Sequence, residues 1–193
     1  MKTMRRIFTI IAIICVVAIT AHAGDSNLLF DAIEGGKPTT EIKAVLDAHP
    51  ELVNSRNGGG ETPLLSAIKD GNIEVVKILL AAKADLTAKS TFGDAAIDCV
   101  AWVQDAKAID QLMTLILNGQ PSEINARGCL DETPLMYAAD RGNLHFAEAL
   151  LKSGADKTLK NADGKTALEI AQQRAASAGT DDPANAIVTL LRQ

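Results

Sequence analysis

The 193-residue sequence predicts an all-α protein, a solenoid of about five helix-turn-helix units with projecting hairpin loops. The first observation is that the stretch from Glu61 to Leu86 returns, with substitutions, between Glu132 and Lys157. The second is a regular interval of 33 residues, lengthened once to 38, between positions that match Thr62; these are Ala95, Thr133 and Thr166. Self-similarity at such a period is typical of a solenoid, because one unit alone cannot bury its apolar face.

Local signals in each unit predict two helices and a turn. Thr62 is a good N-cap for a helix that begins at Pro63, because proline lacks the N–H that would be unpaired there. Gly71 and Gly142 are placed where a left-handed residue ends the first helix. The second helix then has an inward apolar stripe of helical period, which in two of the units comprises Ile73, Val76, Leu79 and Leu80, and Leu144, Ala147, Leu150 and Leu151.

Turn residues separate the units. Asn57 to Gly60 and Asp163-Gly164 have the composition of tight turns, as projecting hairpins require. The third unit has five additional residues, which we place as an insertion near Gln104 to Lys107. The approximate units are 25–57, 58–90, 91–128, 129–161 and 162–193, within a single domain of residues 24–193.

The terminal units are predicted to cap the stack. In the first unit Pro38 restarts the second helix with a different link, and in the last a polar loop around Gly179 to Pro183 separates two helical segments. Ile187, Leu190 and Leu191 are expected to seal the end of the core. Such caps have a polar outer face, which keeps stacked repeats soluble.

Three segments carry a resemblance to a known family. "TPLLSAIKDGNIEVVKILL" and "TPLMYAADRGNLHFAEALLKSGAD" resemble ankyrin repeats closely, and "DGKTALEIAQQ" resembles them less closely. The resemblance weakens in the first and third units, so it covers nearly all of residues 24–193 at uneven strength. It implies that partners contact the hairpin tips and the outer ends of the first helices, which line a concave groove.

The N-terminus resembles a secretory signal peptide, residues 1–23. Basic residues precede an apolar run from Ile7 to Thr20, and Ala21 and Ala23 are small residues at positions −3 and −1 of an expected cleavage site after Ala23. An uncleaved anchor is the alternative, but 14 residues fall short of the roughly 20 that span a bilayer as a helix. A lipid on Cys15 fits poorly, because bulky Ile14 precedes it. We expect a periplasmic protein, with secretion as the alternative and no membrane attachment after cleavage.

Charge restricts the class of partner. Cleavage would leave 16 Lys and Arg against 24 Asp and Glu, a formal charge of −8. Nucleic acid and anionic membranes require clustered basic residues, so neither is expected as a partner. Another protein, basic or neutral, fits better, and the free chain is expected to be a monomer.

Catalytic patterns are not found in the sequence. His49 and His145 fall in different units, and no phosphate-binding glycine loop, Cys-x-x-Cys pair or nucleophile-elbow serine occurs. We therefore predict no enzymatic activity, no cofactor and no metal. The third and fourth units carry a cluster of four acidic residues, Asp94, Asp98, Glu132 and Asp140. A hydrolase that uses these carboxylates is a weaker hypothesis, because a solvated acidic face also accounts for the cluster.

Two cysteines follow the leader. Cys99 takes an inward position of a first helix and is interpreted as a small buried hydrophobic residue. Cys129 falls near a hairpin tip. A disulfide between them stays an open alternative, opposed by the expected divergence of the two side chains.

The third and fourth units are the predicted binding surface. Carried over by position within each unit, the resemblance puts Phe92, Trp102, Val103 and Leu130 where a solvated surface would be polar. Exposed apolar clusters usually mark interfaces. The alternative is that Phe92 and Trp102 are buried under the insertion near Gln104 to Lys107. The predicted protein-binding residues are Phe92, Asp94, Asp98, Trp102, Val103, Leu130, Glu132, Met136, Asp140 and Arg141.

These features favour an exported binding protein that inhibits a periplasmic enzyme, such as a cell-wall hydrolase, in the manner of an immunity protein. Two alternatives are a stabilising partner of a periplasmic redox or peroxide enzyme and a secreted effector that binds host proteins.

Overall fold

The computed structural model describes residues 27–178 and 182–193 of the chain. The predicted signal peptide, residues 1–23, lies outside the described residues, as does the part of the C-terminal loop from Gly179 to Asp181.

The described residues form successive pairs of α-helices and contain no β-strand. The helices are α1 (Leu28–Glu34), α2 (Thr39–Ala48), α3 (Pro63–Lys69), α4 (Ile73–Ala81), α5 (Ala96–Cys99), α6 (Ala106–Gly119), α7 (Pro134–Arg141), α8 (Leu144–Lys152), α9 (Ala167–Ala178) and α10 (Ala184–Leu191). Short 3-10 helices occupy Pro50–Asn54, Val100–Trp102, Pro121–Asn125 and Cys129–Asp131. The predicted all-α solenoid of helix-turn-helix units is confirmed.

The predicted helix ends are confirmed in atomic detail. The Thr62 hydroxyl accepts a hydrogen bond from the Leu65 N–H, and the Thr133 hydroxyl accepts one from the Met136 N–H, each at 3.4 Å. Gly71 and Gly142 follow the first helices with φ of 66° and 69°. Only a residue without a β-carbon adopts this left-handed conformation readily, so the chain reverses there and starts the second helix.

The additional residues of the third unit lengthen its second helix. Helix α6 has fourteen residues, whereas α4 and α8 have nine. Asp105 caps α6 ten positions after Ala95, as Asn72 caps α4 ten positions after Thr62, so the loop before α6 is not longer than its counterpart. The predicted insertion near Gln104 to Lys107 is therefore wrong. The repeat spacing predicted the five additional residues of the third unit but not their position. They extend α6, whose apolar stripe is buried along the helix.

The core is a continuous apolar layer between the first and second helices. Leu79 and Leu150, on the second helices, are fully buried. Ala67, Ala138 and Ala139 are also fully buried, and their small side chains allow neighbouring first helices to approach closely. At the C-terminal end Ile187 and Leu191 are buried and Leu190 is partly buried, which seals the layer as predicted.

One buried asparagine joins the third and fourth units. The Asn143 side-chain oxygen accepts a hydrogen bond from the Phe146 N–H at 3.1 Å and so caps α8. Its amide group donates to the carbonyl oxygens of Ala101, at 3.2 Å, and Val103, at 2.7 Å. Because one side chain both starts a helix and binds the neighbouring unit, these two units are held in a defined orientation.

A ladder of basic side chains joins the hairpins on the solvent side. Arg56, Lys89, Arg127 and Lys160 share one position in successive units. Arg56 donates to the Lys89 carbonyl oxygen at 2.7 Å, Lys89 to that of Arg127 at 2.8 Å, and Arg127 to that of Lys160 at 2.7 Å. Sequence analysis missed this ladder, although basic residues at a constant repeat position could have revealed it.

The buried stripe predicts a large cost for truncating a core leucine. We expect Leu79→Ala to lower the free energy of unfolding by about 2 to 5 kcal/mol, because the side chain is fully buried and its removal leaves a cavity. Urea unfolding followed by circular dichroism measures this loss. Lys77→Ala, on the exposed face of the same helix, is the control. A loss below about half a kilocalorie for Leu79→Ala would contradict the inward stripe.

The ladder predicts unequal effects at two equivalent positions. Arg127→Ala removes hydrogen bonds to the carbonyl oxygens of Asp131, at 2.6 Å, and Lys160, so we expect a loss of about 1 to 3 kcal/mol in unfolding free energy. Lys160→Ala should have little effect, because the Lys160 ammonium has no hydrogen-bond acceptor among the described residues. A loss no larger for Arg127→Ala than for Lys160→Ala, by urea unfolding, would show that the Arg127 hydrogen bonds do not contribute to stability.

Candidate protein-binding surface

The hairpin tips of the third and fourth units present large apolar side chains to solvent. Phe92 and Leu130 occupy the same position in their units and are 70% and 67% exposed. The equivalent positions in the second and fifth units are Gly59 and Asp163. The predicted exposure of Phe92 and Leu130 is therefore confirmed, and the alternative that Phe92 is buried under an insertion is wrong.

Neighbouring tips contact each other, which aligns these side chains along the stack. The Thr91 hydroxyl donates to the Gly59 carbonyl oxygen at 2.6 Å, and the Ala162 N–H donates to the Leu130 carbonyl oxygen at 2.9 Å. A β-carbon added to Gly93 would lie 3.3 Å from the Cys129 nitrogen, so the third and fourth tips also approach closely. The exposed apolar residues thus lie on adjacent, mutually supported loops.

The fourth tip has an unusual backbone. Leu130 and Asp131 both have positive φ, 53° and 62°. In the other hairpins the position of Asp131 is taken by a glycine, which adopts this conformation without steric cost: Gly60, Gly93 and Gly164. A left-handed leucine costs of order 1 to 3 kcal/mol and is held only by its surroundings. The outcome is an apolar side chain that points into solvent.

Trp102 lies on the first-helix side of the groove, where the 3-10 helix of the third unit ends. Trp102 is 48% exposed, so the alternative of burial under an insertion is wrong for Trp102 as well. The Arg141 guanidinium carbon lies 3.5 Å from the ring centroid, and the Lys69 ammonium nitrogen lies 5.7 Å from it. Both distances are in the cation–π range. Lys69 also forms an ion pair with Glu61 in its own unit.

Three predicted binding residues do not reach the surface. Val103 is only 5% exposed, and Met136 and Asp98 are also buried, so the predicted placement of these three side chains on the groove surface is wrong. Val103 packs inward because the helix turn that exposes Trp102 directs the next residue into the core. The Met136 sulfur accepts a hydrogen bond from the Thr133 N–H at 3.4 Å, which keeps the side chain at its own helix start.

The four remaining predicted residues are accessible to different degrees. Asp94 is half-buried and accepts hydrogen bonds from the hydroxyls of Tyr137, at 3.2 Å, and Ser90, at 3.1 Å. Glu132 is half-buried, and burial raises the pKa of its carboxyl, whereas a hydrogen bond from Asn161 at 3.4 Å lowers it. Asp140 and Arg141 are exposed at the end of α7.

A polar cavity lies beside these residues, between the fourth and fifth units. It has a volume of about 470 Å³, and its lining includes the carboxylates of Glu132, Asp140 and Asp163. The Lys165 ammonium in its wall donates to the Gln173 side chain at 2.9 Å. The groove is therefore apolar and cationic around Trp102 but acidic towards its C-terminal end.

Asp98 is a buried carboxyl between the third and fourth units. One oxygen accepts the Ala95 N–H at 2.8 Å, while the other has no hydrogen-bond partner among the described residues. Burial raises the pKa of Asp98 to about 7, the Ala95 N–H lowers it, and the nearby Asp94 carboxylate raises it. Gly128 fits against this site because an added β-carbon would lie 3.2 Å from an Asp98 oxygen. The site is enclosed by the fold and is not open to a substrate.

The two cysteines that the structure describes are not paired with each other. Cys99 is buried, as predicted, and burial raises the pKa of its thiol well above the usual range. Cys129 is exposed at the fourth tip, and both thiols are free.

Across residues 27–178 and 182–193, no group of His, Cys, Asp and Glu side chains has a metal-binding arrangement. None of the helices in these ranges is both long and apolar enough to cross a bilayer.

Replacing the buried Asp98 carboxyl is expected to raise the free energy of unfolding by an amount that depends on pH. Between pH 3.8, the ordinary pKa of an aspartate, and about pH 7, the unfolded chain releases the Asp98 proton while the folded chain retains it. The free energy of unfolding of the wild type therefore falls as pH rises across that range, by about 1.4 kcal/mol per pH unit from this group alone. Asp98→Asn should therefore gain stability relative to the wild type as pH rises from 4 to 7, and the gain should be constant above about 7.

Urea unfolding of both proteins at matched ionic strength tests this result. The difference between the two cancels the contributions of all other carboxyl groups. A difference that does not change with pH would show that Asp98 is charged at neutral pH in the folded chain.

Comparison with known proteins agrees with this architecture. The family profile of ankyrin repeats (many copies) matches residues 45–99 and 115–171, more than half of the chain. An ankyrin repeat protein of Rickettsia bellii is 33% identical over 93 residues, which are 46% of this chain and 52% of that protein.

Two animal proteins are similar over longer segments. The Caenorhabditis elegans ankyrin repeat and KH domain-containing protein mask-1 is 32% identical over 119 residues, 61% of this chain and 4% of that protein. The zebrafish (Danio rerio) ankyrin repeat and SOCS box protein 11 is 32% identical over 109 residues, 56% of this chain and 35% of that protein. The chain thus spans about half or less of the length of these relatives. On the family match and the helix-pair architecture together, the chain belongs to the ankyrin-repeat family.

Proposed function

We propose that this chain binds another protein through the groove formed by the hairpin tips and first helices of its third and fourth units. One observation carries the proposal. Aromatic residues make up only 3% of the chain, yet the large apolar side chains that the described residues expose all belong to these two units: Phe92, Trp102 and Leu130. Exposed apolar side chains of this kind mark interfaces, and tryptophan is enriched among the residues that dominate binding energy.

The geometry supports a binding role rather than catalysis. Asp98, the carboxyl with the raised pKa of about 7, is buried and has no open path to a substrate. His49 and His145 pair with surface carboxylates of Glu51, at 3.2 Å, and Asp110, at 3.5 Å, in different units. Ankyrin-repeat chains are generally binding scaffolds. We therefore propose that the chain acts without enzymatic activity.

The proposed partner is a periplasmic enzyme, such as a cell-wall hydrolase, which the chain inhibits in the manner of an immunity protein. The leader-like first 23 residues, which lie outside the described residues, support export. The formal charge of −8 after their removal favours association with a basic surface, since opposite charges steer the encounter of two proteins. The acidic C-terminal end of the groove, with Glu132, Asp140 and Asp163, suits part of a basic active-site cleft.

The proposal predicts that removing two exposed side chains abolishes partner binding. We expect Phe92→Ala with Trp102→Ala to lose a partner captured from periplasmic extract, because truncation of central aromatic residues typically costs about 2 kcal/mol or more each. The circular dichroism spectrum should not change, because both side chains are exposed. Quantitative mass spectrometry of the captured proteins, followed by activity assays of the recovered enzyme, measures the effect.

Lys43→Ala with Lys107→Ala is the matched control, because both residues are exposed on second helices, outside the groove. Equal capture by the groove variant and the wild type would refute the proposed surface. An enzyme that is captured but remains fully active would refute inhibition and favour a stabilising role.

A further inference from the structure

The stacked pair of Trp102 and Arg141 has the chemistry of a carboxylate-binding site. The guanidinium carbon lies 3.5 Å from the centroid of an indole ring that is half exposed. A stacked guanidinium is held by its face, so its N–H groups remain directed outward along its edges. Arg141 is itself exposed and forms no hydrogen bond or ion pair with any described residue.

Arg174 provides an internal comparison, because it takes the same position in the fifth unit that Arg141 takes in the fourth. Its guanidinium binds the Asp182 carboxylate at 3.1 and 3.3 Å and also donates to the Asp140 carbonyl oxygen. These contacts join α9 to the start of α10 and to the fourth unit. The same residue type at the same position is thus fully used for structure in one unit and left with unused donors in the other.

The charges around the stacked pair leave Arg141 as the available cation. Lys69, the other cation near the ring, is neutralised by Glu61. Asp140, next to Arg141 in the chain, forms no ion pair with it. The planar guanidinium matches a carboxylate with two parallel hydrogen bonds, and this match is closer than that of a lysine ammonium.

We infer that the Trp102–Arg141 pair binds an Asp or Glu side chain of the partner protein, with an apolar side chain next to it in the partner packed on the Trp102 ring. This inference rests on the proposed function and specifies the partner's chemistry at one point of the groove. It refines the expected basic partner: long-range charge favours a basic surface, while this site selects one carboxylate within it.

The environment of Trp102 can be tested without a partner, because it is the single tryptophan of the chain. Quenching is expressed for each ion relative to free N-acetyltryptophanamide, because iodide is intrinsically the stronger quencher of indole fluorescence. On this scale iodide should quench Trp102 at least about twofold more strongly than caesium, despite the net negative charge, because the adjacent guanidinium concentrates anions locally. Arg141→Gln should abolish this preference, and Lys107→Gln, an exposed change of equal charge on α6, should not. Equal quenching by the two ions in the wild type would overturn the inference.

A random peptide library displayed on phage and panned on the full chain tests the recognition itself. We expect enriched peptides with Asp or Glu within two positions of Trp, Phe, Leu or Met. Arg141→Gln should weaken a selected peptide about tenfold, the loss of one charge-assisted contact. Arg141→Glu should select basic residues instead, and Lys107→Glu should change nothing.

The two proposals fail in different ways. Peptides that bind in a Trp102-dependent manner without an acidic preference would overturn the carboxylate site and leave the groove in place. Peptides whose binding is unaffected by Trp102→Ala, or no enrichment at all, would overturn both.

Discussion

The structure depends on the burial of each helix pair's apolar face against its neighbours. A single pair, such as α3 and α4, has too little apolar surface to form a core, so Leu79 becomes fully buried only within the stack. Fully buried alanines at the contacts between first helices set the close spacing. Because the spacing is fixed in this way, the hairpins are brought into register, and the side-chain ladder from Arg56 to Lys160 follows from that register.

The same packing constraint acts on the positions that face the stack but not on the hairpin tips. Most positions that face the stack carry small or aliphatic side chains, with Phe146, Asp98 and Asn143 among the exceptions. Tip and outer positions contribute little to the core, so packing restricts them less. In the second and fifth units the tip position is taken by Gly59 and Asp163, but in the third and fourth it is taken by Phe92 and Leu130. The left-handed backbone of Leu130 costs free energy, which contacts with its surroundings must offset.

The joint between the third and fourth units supports this surface. Asn143 fixes the two units through buried hydrogen bonds, and Asp98 occupies the same junction with one oxygen unpaired. A buried carboxyl lowers stability at neutral pH, so the junction is stabilised mainly by packing and by the asparagine. Arg141 approaches the Trp102 ring across this junction, so the proposed carboxylate site lies between the two units that Asn143 joins.

The sequence by itself determined the repeat, the helix caps, the glycine turns and the burial of residues such as Leu79 and Cys99, because these depend on spacing within one unit of about 33 residues. Tertiary structure decided which groove residues are exposed: Trp102 and Val103 are adjacent in the chain, yet only Trp102 reaches solvent. It also decided that Arg174 is used for structure while Arg141 stacks on a ring 39 positions earlier in the chain. The physical reason is that these outcomes depend on contacts between units, which periodicity within a unit does not specify.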